Sequence, residues 1–500
     1  MSKTEYDFII VGGGSAGATL ARKLADSTPA SILLIEGGPA YEDDPKVMYL
    51  KESLGLVGDP TYDYDYPLVP QERGNSLLRI SRAKMLGGCS AHNDAWALRA
   101  PDADMDRWEA AGADGWNAAT TGPYFEQVLT DMKVHPVTRT AELSQAWIAA
   151  AAERGWPEID NTRGEYGQGI SWVSLNEHEG LRYSTAMAYL FPLSDLAPNL
   201  TVQLETLVSR VLFDGTRAIG VETDRGSFYA SKEIILSAGS IDTPKILMLS
   251  GVGPADHLAE VGIDVLIDSP GVGSNLQDHI ETPVTWEATR PAGESINGLD
   301  LGMYASLGRS DEDFDTQITI GHFNYWLETE PFDELEHTEL AFTFAPNVAR
   351  PSSRGVVRLA SSDWRDKPLV DPRYFTDEAN EDEAKLIAGI KLAREFAQTE
   401  ALRGWIVREI APGPSVQTDE ELGAYARRYS NTVYHPMCTA KMGSDDDPMA
   451  VVDGRLRVRG TEGLRVVDGS VMPEIVRVNP NITIVMIGAR AADLIAEDHA

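Results

Sequence analysis

Cysteine is nearly absent: 500 residues hold two, Cys89 and Cys438. Two thiols cannot build a four-thiolate zinc site or a disulfide framework, so no metal centre of that kind is expected and a reducing cytoplasm is the expected setting. Long apolar runs are missing too. The longest, such as Ile482–Ile487, fall far short of the ~20 residues that cross a bilayer. The opening MSKTEYDFIIVGGG has no signal core, because its hydrophobic run turns straight into glycines. Neither secretion nor membrane spanning is expected. Positive charge is scarce as well: 43 basic residues against 77 acidic ones leave a formal net charge of −34, a field that repels nucleic acid and anionic lipid. There is no internal repeat or low-complexity tract, and the acidic runs at 310–315 and 445–447 read as exposed loops.

What is present is ordinary globular composition, 43% hydrophobic and 24% charged, at a length that predicts two or three domains. The first chemical signal is at the start. Tyr6 to Val11 reads as a buried strand, Gly12, Gly14 and Gly17 make a GxGxxG turn around Ser15, and Ala16 to Asp26 has helical spacing with Leu20 and Leu24 on one face. A second apolar strand, Ser31 to Ile35, runs into Glu36 and Gly37, with Glu36 nineteen positions past the last turn glycine. Glycines let the backbone approach a pyrophosphate held at the positive end of the helix, and a carboxylate at that distance meets a ribose hydroxyl. NAD and FAD both fit this unit.

Two later stretches favour FAD. KEIILSAG, ending in Ala238 and Gly239, reads as a strand, and LRVVD, ending in Asp468 before Gly469, precedes a long C-terminal helix. Three strand ends so far apart in the chain suit a long ligand.

Taken with VGGGSAGATLARKL, the segments YDYDYPLVPQERGNS, RAKMLGGCSAHN, LSAGSIDTPKILMLSGVG, SPGVGSNLQDH, KPLVDPRYFTDE, NTVYHPMCTAKMG and LRVVDGSVMPEIVRVNPNIT follow in order along nearly the whole chain. In these pieces the sequence resembles the glucose-methanol-choline oxidoreductase family of flavoproteins. The resemblance implies an α/β fold, α+β overall: a Rossmann-like FAD-binding domain from residues 1–136, 177–280 and 433–500, and a discontinuous substrate-binding domain from 137–176 and 281–432, an antiparallel sheet with helices. It also implies a cofactor site made by Gly88, Ser90, His92, Asn93, Asp94 and Ala95 and by Asn479, Asn481, Ile482 and Thr483, with His92 joined covalently to the flavin. Many relatives bind FAD without that bond, and Asp94 and Ala95 depart from the pattern.

For chemistry, the family's pair falls on His435 and Asn479. An imidazole takes the alcohol proton as hydride leaves the carbinol carbon for flavin N5, and an amide orients the oxygen. The helix after Pro480 would turn its positive end toward the flavin. Glu281 matches a carboxylate that in the family meets a substrate's quaternary ammonium, where it could attract a cationic or amino-bearing alcohol, and also reads as a hinge carboxylate. A second active-site histidine falls on Thr319 in a gapless reading and on His322 after a small shift. Tyr434 is retained from the family's aromatic cage, but Leu54 and Leu299 stand where other cage residues belong, so a quaternary ammonium substrate is disfavoured. The expected activity is oxidation of a small-molecule alcohol with O₂ reduced to H₂O₂; a dehydrogenase using another acceptor and a hydroxynitrile-lyase-like flavoprotein are the alternatives. A homodimer is the expected assembly.

Overall fold

The computed structural model describes residues 4–138, 140–308, 313–324 and 331–500, apart from the side chains of Ser53 and Leu54. Runs of β-branched and aliphatic residues, FIIV and ILLI, are buried on both faces, which is the pattern of parallel strands covered by helices. Strand Glu5–Val11 pairs in parallel with Ile32–Ile35 on one side and Gly226–Leu236 on the other. Leu200–Gln203 extends the sheet past Ile32–Ile35. The strand Gly226–Leu236 changes partner along its length: its first half pairs antiparallel with Arg217–Thr223, its second in parallel with Leu464–Val466. It stops at Leu236, three residues before the expected end, because Gly239, at φ +82°, already opens the helix Gly239–Leu249.

Helices Ser15–Ser27 and Asn481–Asp498 pack closely against each other. A Cβ on Gly488 would stand 2.5 Å from the Ala16 carbonyl oxygen, so only glycine permits that approach.

A second sheet is antiparallel, ordered Ile406–Ala411, Val284–Ala288, Ala341–Val348, Thr316–Gly321, Leu301–Ala305 and Gly169–Trp172. The short strand Ile280–Glu281 bridges Ala341–Val348 and Asn431–Thr432. Alternation along these strands divides the side chains between two faces. One face carries Trp286, Ile318, Ile320, Phe342 and Phe344, in register with one another and packed on helix residues Trp147 and Phe396. Trp147 stacks on Phe344 at 5.4 Å and Trp286 on Phe342 at 5.4 Å. The other face carries Glu281, Thr285, Gln317, Thr319, Thr343 and Asn347, and it is polar.

The expected acidic loop at 310–315 needs correction at one end. Residues 310–312 lie outside the described residues, but Phe314 and Asp315 are buried. Phe314 packs on Tyr304 and Tyr166 at ring distances of 5.2 and 5.5 Å, and Asp315 accepts the backbone N–H groups of Leu307 and Gly308 at 2.9 and 2.8 Å. Among the described residues no helix is long and apolar enough to cross a membrane, and no cluster of three or more potential ligands could hold a metal.

Candidate active site

A cavity of about 1030 Å³ runs from the glycine turn of the first sheet to the polar face of the second. Its inner end is a backbone cradle. Gly12, at φ +99°, lies so near the next strand that a Cβ would stand 2.4 Å from the Ser237 carbonyl oxygen. The segment carrying Gly87 and Gly88 crosses directly over it: Gly87 N donates to Gly13 O at 2.7 Å, and a Cβ on Gly88 would stand 2.6 Å from Gly14 Cα. Glu36 accepts the N–H groups of Gly13 and Gly38, each at 2.8 Å, while burial pushes its carboxyl up to about 7. Asp468 does the same on the opposite side, accepting Gly239 N at 2.9 Å and the Thr243 hydroxyl at 2.6 Å; burial raises its carboxyl too. Asn481 Nδ2 donates to Ser15 Oγ at 2.9 Å and ties the C-terminal helix to the turn.

Gly12, Gly14, Ser15, Glu36, Gly37, Gly88, Ala238, Gly239, Asp468, Gly469 and Asn481 line this end. Gly17, Ser90, Ala95, Ile482 and Thr483 stand behind the wall. Gly17 packs on Gly12, Ser90 Oγ donates to Gly87 O at 2.6 Å, Ala95 turns the chain at φ +62°, and Ile482 and Thr483 are buried.

His92, Asn93 and Asp94 reach the middle of the cavity. The His92 ring lies 3.5 Å from Ser81 Oγ, and burial pulls its pKa down to about 4, which favours the neutral imidazole.

Beyond it stand His435 and Asn479. Hydrogen bonds constrain the His279–His435 pair. His279 Nε2 lies 3.0 Å from the Ala349 carbonyl oxygen, an acceptor only, so that nitrogen carries a proton. His279 also meets the Val476 carbonyl oxygen, and its Nδ1 lies 3.0 Å from His435 Nδ1. In the neutral pair with His279 protonated at Nε2, His435 Nδ1 is the donor and His435 Nε2 keeps its lone pair. Burial holds both rings neutral, His279 at about 4 and His435 well below the ordinary imidazole range, with the neighbouring Arg82 acting in the same direction. Asp278 anchors the loop, accepting His435 N at 2.9 Å, Thr432 Oγ1 at 2.6 Å and the Tyr374 hydroxyl at 2.5 Å. Asn479 Oδ1 accepts from Gln317 Nε2 at 2.9 Å, which turns the amide NH₂ the other way.

The substrate end holds Glu281, Thr319, His322 and Tyr434 together. Thr319 sits on the polar sheet face and His322 just past the strand's end, so both readings of that stretch reach the cavity. Glu281 is fully buried; burial, then Asp278 and Asp94, hold its carboxyl well above the usual range. Tyr434, at φ +60°, is also on the wall, with its hydroxyl pushed above the normal range by burial. Leu299 lines the cavity too, whereas the Leu54 side chain lies outside the described residues. Sequence reasoning missed His279, Asp278 and Arg82. The QDH triplet before Ile280 was the available signal for the first two.

Family models described as GMC oxidoreductase match residues 6–281 and 351–488. The chain belongs to the GMC oxidoreductase family. It is 42% identical to choline oxidase of Arthrobacter globiformis, covering 100% of this chain and 96% of that one, and 35% identical to mitochondrial choline dehydrogenase of Mus musculus, covering 99% and 90%. The crystal structure of pyridoxine 4-oxidase from Mesorbium loti superposes with a TM-score of 0.88 at 28% identity over 97% of this chain and 98% of that one. The protein is an FAD-dependent oxidoreductase acting on CH–OH groups. The cradle fits that cofactor: glycines admit a pyrophosphate where any side chain would collide, and the cavity has room for a dinucleotide and a small molecule beside it.

Proposed function

We propose that the protein oxidises an alcohol to the carbonyl compound, with His435 as the base. The observation that carries this reading is the pairing of His279 Nδ1 with His435 Nδ1 at 3.0 Å on the wall of a cavity continuous with the glycine cradle, which in the neutral pair leaves a lone pair on His435 Nε2. His435 Nε2 takes the hydroxyl proton, and the Asn479 amide, held by Gln317, orients the same oxygen. When bound, FAD supplies the two-electron acceptor for the carbinol hydride, with O₂ the terminal acceptor and H₂O₂ the by-product. Gly12, Gly14 and Gly88 would hold its pyrophosphate, Glu36 its ribose, and His92 would be its point of covalent attachment. The segments of the first sheet would hold the cofactor, and the second sheet supplies the wall against the substrate.

The test is anaerobic mixing of the holoenzyme with a panel of alcohols, followed by admission of air. Bleaching of the flavin, with peroxide appearing stoichiometrically on reoxidation, is the expected result. Bleaching without peroxide would assign a different acceptor, and turnover without bleaching would indicate a lyase. Acid precipitation reports on His92: yellow colour should stay with the pellet, and flavin in the supernatant would exclude the link.

A further inference from the structure

Between His92 and His435 the cavity wall carries a permanent positive charge, Arg82. Its place is set by two carbonyl oxygens: Arg82 Nε donates to Ser81 O, and Nη2 donates to Tyr434 O. Ser81 Oγ is the atom that lies 3.5 Å from the His92 ring, and Tyr434 directly precedes His435. The guanidinium therefore ties together the two segments that carry these histidines. Of the cationic side chains lining the cavity, it is the one whose charge bears on both rings. The rings themselves are held neutral by burial, whereas an arginine keeps its proton at any working pH.

Among the described residues Arg82 forms no ion pair. The acids that face it are Asp63 and Asp278, and both are taken up by neutral donors. Asp63 accepts the Arg82 backbone N–H at 2.8 Å, the Ser81 hydroxyl at 2.6 Å and Gly58 N at 2.7 Å. Asp278 accepts His435 N and the hydroxyls of Thr432 and Tyr374. The half-buried guanidinium is left with carbonyls and the cavity.

A fixed cation acts most strongly where charge of a single sign appears. Hydride transfer makes both signs together, since His435 gains the hydroxyl proton as the flavin gains the hydride. Return of the electrons does not. There the reduced flavin loses two electrons and its N5 proton to O₂, one more proton comes from water, and H₂O₂ leaves; the first electron turns a neutral, apolar molecule into an anion. His435 is a poor source of the balancing charge, because an imidazole whose pKa lies so low releases its proton at neutral pH.

We infer that Arg82 serves the oxygen half of the reaction: its guanidinium faces the flavin and stabilises the negative charge formed when an electron passes to O₂. This rests on the proposed O₂ acceptor and names the residue that supports it.

The test separates the two halves. Holoenzyme reduced by light, with no alcohol present, is mixed with oxygenated buffer while flavin absorbance is followed. A permanent charge predicts a second-order rate constant that stays level as pH rises from about 6 to 9. A constant that falls with pH throughout that range would assign the charge to a protonated histidine and overturn the inference. Arg82→Gln should slow reoxidation at least tenfold more than it slows bleaching by alcohol, which is about 1.4 kcal/mol, and Arg82→Lys should recover most of the loss. Equal slowing of both steps would reduce Arg82 to a brace between Ser81 and Tyr434. Sulfite gives an equilibrium reading without turnover: it bonds to the oxidised flavin and leaves negative charge on the ring, so Arg82→Gln should bind it at least tenfold more weakly, and unchanged affinity would overturn the inference. Should that variant not fold, the pH profile of the unmodified holoenzyme decides by itself. Rapid, pH-independent reoxidation in a protein that no alcohol bleaches would sink the proposed oxidation alone, and normal bleaching with reoxidation that falls as pH rises would sink this inference alone.

Discussion

The proposed role of His435 as a base needs one tautomer, the one its pairing with His279 favours. Replacing His435 by alanine should leave flavin content near normal and lower kcat by roughly 10² to 10⁴, the weight of a general base; near-normal turnover would remove His435 from the chemistry. His279→Leu makes a subtler prediction. In the unmodified enzyme burial holds His435 neutral well below the usual imidazole range, so kcat should stay level as pH falls through 6.5 and drop only at lower pH. A neutral His279 that accepts the His435 Nδ1 proton favours the imidazolium, because that hydrogen bond strengthens when its donor is charged. Without it the His435 pKa falls further, and the acid limb of the kcat profile should move to lower pH. An unmoved limb would show that His279 only fills space. His279 escaped sequence reasoning because a buried histidine reveals its role through its partner's proton, and Ala349 and His435 are far away in the chain. Gly12, Glu36 and His435 were legible because their signal is local: a turn, a strand end, a motif.

The element that presents Asn479 depends on a buried ion pair. Two residues earlier, Arg477 is fully buried, with Nε 2.8 Å from Asp104 Oδ1 and its backbone N–H 2.7 Å from Asp104 Oδ2. Asp104→Ala leaves the buried Arg477 with Asp313 and the Phe314 carbonyl oxygen as its remaining partners but takes the acceptor from Nε, so it should lower unfolding stability by about 1 to 3 kcal/mol. A denaturant midpoint within error of the unmodified protein would contradict this. The strand, turn and helix at the start of the chain were visible because periodicity and glycine placement agree there. The polar face of the second sheet was not, since Glu281, Asn347 and Gln317 share a face only through register between distant strands. His322 against Thr319 was ambiguous for a related reason: a strand's end decides whether a residue remains in the alternation, and Gly321 is that end.

Over the whole molecule, the charge of −34 acts on stability as well as on partners. Like charges repel in the compact state, and salt shortens their reach to ~8 Å at 0.15 M. Raising sodium chloride from about 0.01 M to 0.15 M should therefore raise the Tm in a thermal scan, and a fall would show that specific ion pairs outweigh the general repulsion. The architecture also sets a timetable. The cradle needs the Gly12 turn, the strand ending at Leu236 and the loop of Asp468, and they leave the ribosome in that order. At roughly 5 to 20 residues per second, the first waits some tens of seconds for the last. Until the strand ending at Leu236 emerges, Glu5–Val11 has a strand neighbour on one side only, and the cradle itself is complete only when the loop of Asp468 has followed.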